Sequence, residues 1–298
     1  MLDTKKIALQ TMMGNYPITK PLKSGAVPAD LVDFDFVEVK VANNLFKSVV
    51  RDAKYDVAEL AIVTYLQAKA YGKPYVLIPA VLVSRGQHHT IAYNAERGAL
   101  APADLNGKRV GLRAWTVTTA TWVRGILASE YGVDLDSIEW ITFEDPHVAE
   151  YRDPAFVKRA PAGKDLAQML LDGEIDAAVV GDKLPDPRLK HLIPDPEAAA
   201  RTWAERHGGV PINHMVVVRE RLSRERPDVV REVFRRLHAS KLAAGLPDGG
   251  TLDPYRFGVA ACRPVLEVII DFCWRQQLLP RLLTVDELFD ETTAALTV

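Results

Sequence analysis

Two arginines and two histidines, far apart in the chain, are of the types that hold an organic acid and move a proton on it: Arg85, Arg113, His89 and His214. A guanidinium fork matches a carboxylate at two points, and an imidazole is the default proton donor near neutral pH. The stretch 109–127, RVGLRAWTVTTATWVRGIL, adds a seat for the acid. A short apolar strand leads through Arg113 to Thr118 and Thr119, where a helix should start. A threonine-capped helix N-terminus gathers free N–H groups and the positive end of the helix dipole, which together suit an anion. The same phrase also reads as an ordinary strand–turn–helix with a good cap. Glu59 could orient a histidine, accept a proton or form a salt bridge across a sheet. Trp115 and Tyr16 could stack on an aromatic ring or simply pack. Asn15, His88, Asp182 and Asn213 are candidate polar lining, and Arg124 reads as a structural ion-pair residue.

These residues need a scaffold that brings distant segments together, and the hydropathy pattern supplies one. Apolar runs at 7–10, 32–39, 55–60 and 75–83 alternate with helical patterns at 42–51 and 62–70, the order of a parallel α/β sheet. The run at 75–83, YVLIPAVLV, is apolar throughout and reads as a strand buried on both faces. SRGQHH at 84–89 breaks that run and TIAY at 90–93 resumes it, as a chain crossing between two domains would. A second unit follows, with strands at 110–112, 138–143, 176–180 and 189–193 and helices from Thr118 and at 164–172. PINH at 211–214 makes a second crossing into a strand at 215–218. Helical patterns at 226–244, 261–277 and 285–292 should fold back on the first unit. The expected architecture is a two-lobed α/β fold with two hinge crossings. Residues 1–86 with 216–298 form its first lobe, residues 87–215 its second, and a ligand binds in the cleft faced by the strand C-termini. His89 and His214 lie at the two crossings, so both should face that cleft; the alternative for each is a hinge histidine bonded to backbone.

Composition narrows the function. With 37 basic and 39 acidic residues, the net charge of -2 argues against nucleic acid or an anionic membrane surface as partner. No run of about 20 apolar residues and no cleavable apolar leader is visible, so a cytoplasmic protein is expected. Cys262 and Cys273 stand in apolar surroundings and read as buried, reduced thiols. TMMGNYP after the first strand does not match a dinucleotide fingerprint, and no G-x-S-x-G phrase occurs. His89, His214 and Glu59 could converge as a two-histidine, one-carboxylate set, whereas His88 and His89, being adjacent, would point to opposite faces of a strand. The residues alone point to a site for a small organic acid, with no metal expected; self-association stays open.

Seven phrases together carry a resemblance: DVAEL at 56–60 followed by Tyr65; Ser84–Arg85 with His89; RVG…TxTTAxWxRGIL running to EYGV at 130–133; DGEIDA at 172–177; PINH; RPVLE at 263–267; and LTVDELF at 283–289. In order and spacing, over nearly the whole chain, they resemble the 4,5-dihydroxyphthalate decarboxylase family. The resemblance implies a cytoplasmic enzyme on the type II periplasmic-binding-protein fold. It also implies cofactor-independent loss of carbon dioxide from a hydroxylated aromatic dicarboxylate, with protocatechuate as product. There are departures. Pro17 takes the place of an aspartate, and Gln87 and His88 stand where an aromatic residue and a second arginine are usual. Tyr255–Arg256–Phe257–Gly258 replaces a Pro-Tyr-Gly phrase, and Cys262 replaces an asparagine. A different aromatic acid or reaction therefore stays open.

Such a decarboxylation needs an acid near the ring carbon, cations for a spectator carboxylate and polar partners for the hydroxyls. His89 and His214 would divide proton delivery and hydroxyl binding between them, while Arg85 and Arg113 hold carboxylates. A solute-binding or sensor protein that holds an acid without turning it over is the other reading of the same fold.

Overall fold

A computed structural model describes residues 6–298; residues 1–5, the start of the stretch read for an export leader, lie outside the described residues. The strands are β1 (Ile7–Met12), β2 (Val32–Phe36), β3 (Val57–Ala61), β4 (Tyr75–Ser84), β5 (Ile91–Asn94), β6 (Arg109–Leu112), β7 (Glu139–Thr142), β8 (Lys158–Arg159), β9 (Ala177–Val179), β10 (Leu189–His191) and β11 (Ile212–Arg219). They form two sheets with no strand in common, ordered β2-β1-β3-β11-β4 and β10-β5-β9-β6-β7-β8. The two-lobed α/β expectation is met, with one correction: neither sheet is purely parallel. In the first, β1 runs parallel to β2 and β3, but β11 inserts antiparallel between β3 and β4. Met215–Val218 is buried on both faces, so the returning strand takes an interior place between β3 and the edge strand β4.

That insertion is irregular where it matters. β11 pairs with β4 through register shifts between Ile212 and His214, His214 and Met215, and Met215 and Val216. Pro79, in β4, has no N–H to give the ladder. The chain at Pro79–Val81 turns its hydrogen bonds outward instead: Gly258 N donates to Pro79 O and Val81 N to Arg256 O. Bulges re-aim side chains, and this one sits beside His214.

Helix boundaries differ in detail from the apolar pattern. The run at 42–51 splits into a 3-10 turn, Ala42–Leu45, and a helix, Phe46–Asp52. The run at 285–292 becomes a 3-10 turn, Asp286–Leu288, and a single helical turn, Glu291–Ala294. A helix at Pro196–Arg206 begins well before the Trp203 where its apolar face first shows in the sequence.

The C-terminal helices do not all stay on the first lobe. Pro227–Ala243 lies against β4, whereas Val259–Arg275 also packs on the second-lobe helix Thr118–Tyr131. One apolar core, containing Met12, Phe46, Leu60, Trp122 and Phe272, runs through both lobes. Trp122 joins them twice, edge-on to Phe272 with centroids 5.7 Å apart and donating its indole N–H to Ile212 O at 2.8 Å. Gly125 makes the approach feasible, since a Cβ there would overlap the Phe272 ring.

Candidate active site

Glu59 is the middle residue of β3, all of whose residues are buried, and its carboxylate is fully out of water. Three donors surround it: Gly14 N at 2.7 Å, Tyr16 Oη at 2.6 Å and His214 Nδ1 at 2.5 Å. Burial alone would raise its pKa; the hydrogen bonds from His214, Tyr16 and Gly14, with the His214 charge, outweigh burial and hold the carboxyl below its ordinary value. The Tyr16 hydroxyl is shifted the other way, first by its own burial and then by Glu59, so it stays protonated and donates. The loop after β1 is built for this contact. A Cβ at Gly14 would lie 2.5 Å from the tyrosine hydroxyl, so only glycine lets that ring fold over the loop. Thr19 Oγ1 clamps the loop by donating to Gly14 O and accepting from Tyr16 N. Asn15 is exposed and holds Lys23 through its side-chain oxygen at 2.8 Å.

A second group forms around the first crossing. Arg85 Nη1 is 2.8 Å from Asp182 Oδ2, and its Nη2 donates to Thr119 Oγ1 at 3.3 Å. His89 Nε2 lies 3.3 Å from the other Asp182 oxygen. Gln87, wholly buried, donates to Arg85 O and to Asn213 Oδ1, and Asn213 Nδ2 reaches Thr119 at 3.5 Å. Arg113 stands apart, half-exposed, with Glu144 Oε2 at 3.4 Å. A cavity of about 560 Å³ opens between the lobes, walled by Asn43 and Arg85 from one side and Arg113, Thr119, Phe143 and Asp182 from the other. That volume suits a small-molecule ligand. The Glu59 cluster is not part of this wall. It adjoins it through Asn213, the neighbour of His214, and through Phe46, which follows Asn43 closely and meets the His214 ring edge-on.

Five expectations are corrected. Trp115 is 2% exposed and stacks on nothing in the cleft; the Arg124 guanidinium lies 3.6 Å over its ring, and its indole donates to Gln276 O. Arg124 is accordingly no ion-pair residue: its bonds go to Gln276 Oε1 and Trp115 O. Thr118 does begin the helix, but Val117 is the N-cap and makes no side-chain cap. The Thr118 hydroxyl accepts instead from Val63 N, capping the Ile62–Ala70 helix of the other lobe. His88 is sealed beneath the Pro196–Arg206 helix with Nδ1 unpartnered, and burial lowers its pKa to about 4. His89 joins Asp182 and not Glu59, so the two-histidine, one-carboxylate set does not assemble. Phe46, Thr64, Gln87 and His147 were not among the sequence candidates. Only Gln87 left a trace, as a departure from the family phrase.

A charged cleft between two mixed α/β lobes, joined by two passages of the chain, defines a protein of the periplasmic solute-binding architecture. Solved structures agree. The aliphatic sulphonate binding protein SsuA of Escherichia coli superposes with a TM-score of 0.58 at 14% identity, covering 96% of this chain and 98% of that one. The desulfurization enzyme DSZB gives 0.57 at 16% identity over 97% and 98%. No family model matches the chain. Sequence relatives are closer. A 4,5-dihydroxyphthalate decarboxylase of Comamonas testosteroni is 35% identical over 254 residues, 80% of this chain and 76% of that protein. One of Pseudomonas putida is 34% identical over 213 residues, 66% of this chain and 81% of that protein. The chain belongs to the 4,5-dihydroxyphthalate decarboxylase family and is a carboxy-lyase.

Proposed function

We propose that this protein removes carbon dioxide from a dihydroxylated aromatic dicarboxylate of the 4,5-dihydroxyphthalate type, using its own side chains and no cofactor. The observation that carries the reading is the buried Glu59–His214 pair beside a cavity holding two arginines. Glu59 occupies Nδ1, so Nε2 is the ring nitrogen left to face a ligand. Arg85 and Arg113 grip carboxylates, giving up contact with Asp182 and Glu144 as they do so. The aromatic ring extends from the cavity to His214. The ring hydroxyl para to the leaving carboxylate pushes electron density toward the carbon that bears it, and His214 Nε2 delivers a proton there. The carbon–carboxyl bond then breaks, its electron pair restores the aromatic ring, and carbon dioxide leaves. Solvent reprotonates the imidazole, and Glu59 balances the charge of the imidazolium before delivery and after reprotonation.

Cytoplasmic residence belongs to the same proposal. Among the described residues no helix is long and apolar enough to cross a membrane. Binding without turnover is the competing reading, since SsuA, of the same architecture, is a binding protein. A ligand seat alone has no use for a buried carboxylate aimed at an imidazole, which favours the enzyme. Mixing the purified protein with 4,5-dihydroxyphthalate while following ultraviolet absorbance and released carbon dioxide decides between them. Stoichiometric binding with no gas evolved would leave the binding protein.

A further inference from the structure

The loop after β7 brings another imidazole to this neighbourhood. His147 belongs to the second lobe by chain position, yet its contacts are with the first. Thr64, in the first turn of the Ile62–Ala70 helix, places Oγ1 2.8 Å from His147 Nδ1. The Phe46 ring meets His147 edge-on, with centroids 5.7 Å apart at 81°, and meets His214 at 5.3 Å and 85°. Both imidazoles thus lean on one phenyl ring. Arg51 fixes the loop's backbone, Nε donating to His147 O at 2.8 Å and Nη2 to Pro146 O at 3.0 Å. The imidazole is held on one nitrogen, one ring edge and its own peptide. Its Nε2 has no protein partner among the described residues. Burial, and then the positive charge of Arg113, Lys47, Arg51 and His214, lowers its pKa to about 4. At neutral pH the ring is uncharged, with one donor and one acceptor nitrogen. That chemistry suits a phenolic hydroxyl, which both donates and accepts, better than a carboxylate.

We propose that His147 contacts the substrate: its Nε2 meets a ring hydroxyl, so the hydroxyl pattern of the aromatic acid is read by a residue from the far lobe. This rests on the aromatic-acid reading above and adds a specificity residue to it.

The test compares two ligands that share both carboxylates, 4,5-dihydroxyphthalate and phthalate, by calorimetric titration of the full chain carrying Glu59→Gln. That change suppresses turnover, so the heats report binding; the variants below are made in that background, and carbon dioxide release is followed separately in the wild type. His147→Ala should weaken binding of the dihydroxylated acid about tenfold, the scale of one neutral hydrogen bond, and leave phthalate affinity unchanged. His147→Gln, which returns an amide near the Nε2 position, should recover part of the loss. Thr64→Val, which frees Nδ1, should shift the same ratio in the same direction, and it carries the test if His147→Ala does not fold. Equal losses for both ligands, or none for either, would overturn the proposal. The ratio is read from binding alone. A wild type that binds both acids but evolves no carbon dioxide would therefore sink the decarboxylase reading while still reporting on His147.

Discussion

Glu59 Oε1 stands 2.5 Å from His214 Nδ1 and 2.6 Å from Tyr16 Oη, on a carboxylate with no exposed surface. A buried charge is held only when its partners are complete, and removing one partner typically costs about 3–5 kcal/mol. On the proposed mechanism the cluster does two things at once: it leaves Nε2 as the imidazole nitrogen to face the ligand, and it holds negative charge where the imidazolium forms. Glu59→Gln should lower kcat by roughly 10²–10⁴-fold while phthalate still binds. Single-turnover carbon dioxide release measures this, and an unchanged rate would remove Glu59 from the mechanism.

The two crossing histidines are not equivalent. His214 is paired to a buried carboxylate, whereas His89 faces Asp182, whose side chain is 54% exposed. His214→Ala should cost roughly 10²–10⁴-fold in kcat. His89→Ala should change kcat by no more than about fivefold, as expected for a solvent-screened pair. Steady-state rates of the two variants decide it, and the reverse order would make His89 the acid.

Arg85 already holds a carboxylate, that of Asp182, at 2.8 Å. A substrate carboxylate must compete for it. Asp182→Asn should lower KM, by at most about fivefold for so exposed a pair. Arg85→Ala should raise KM about 10- to 100-fold through loss of charge-assisted hydrogen bonds. An Asp182→Asn enzyme with a higher KM would show that Asp182 positions Arg85 and does not compete with the ligand.

Stability should depend on pH through His88. Its proton leaves near pH 6.5 when exposed and near 4 in the folded chain, because burial disfavours the cation. Between these values the unfolded chain holds more protons, so stability rises with pH through that window. The slope is at most about 1.4 kcal/mol per pH unit for one group. Denaturant midpoints at pH 5 and 7 should differ in the wild type and differ less in His88→Phe. His147, shifted in the same direction, keeps part of the effect in that variant.

Trp115 tests packing against recognition. Its ring carries Arg124 and its indole bonds Gln276 O. Trp115→Ala should lose about 3–5 kcal/mol of stability and leave KM near the wild-type value well below the melting temperature. A selective rise in KM would return Trp115 to the ligand.

What the sequence disclosed follows from how local each signal was. The strands β3 and β4 show as apolar runs because both faces are buried. Glu59 was conspicuous as a carboxylate inside such a run. The Arg85–Asp182 contact was half legible, since glycine and aspartate closing a strand point to a cleft. The interior position of β11 was not, because its neighbours lie over a hundred residues away. The roles of Trp115 and Thr118 depended on Gln276, Arg124 and Val63, partners that no spacing rule selects. His147 sits in an unremarkable loop phrase, and only the fold brings it to Phe46 and Thr64.

Gly125 has one further consequence. With no side chain there, Trp122 and Phe272 interlock across the waist of the molecule. Swinging the jaws wide would wet both rings at once and break the indole bond to Ile212. A parting of the rim around Arg85, Arg113 and Asp182 alone would leave the aromatic knuckle and its indole bond intact, and so would cost less than opening the whole cleft.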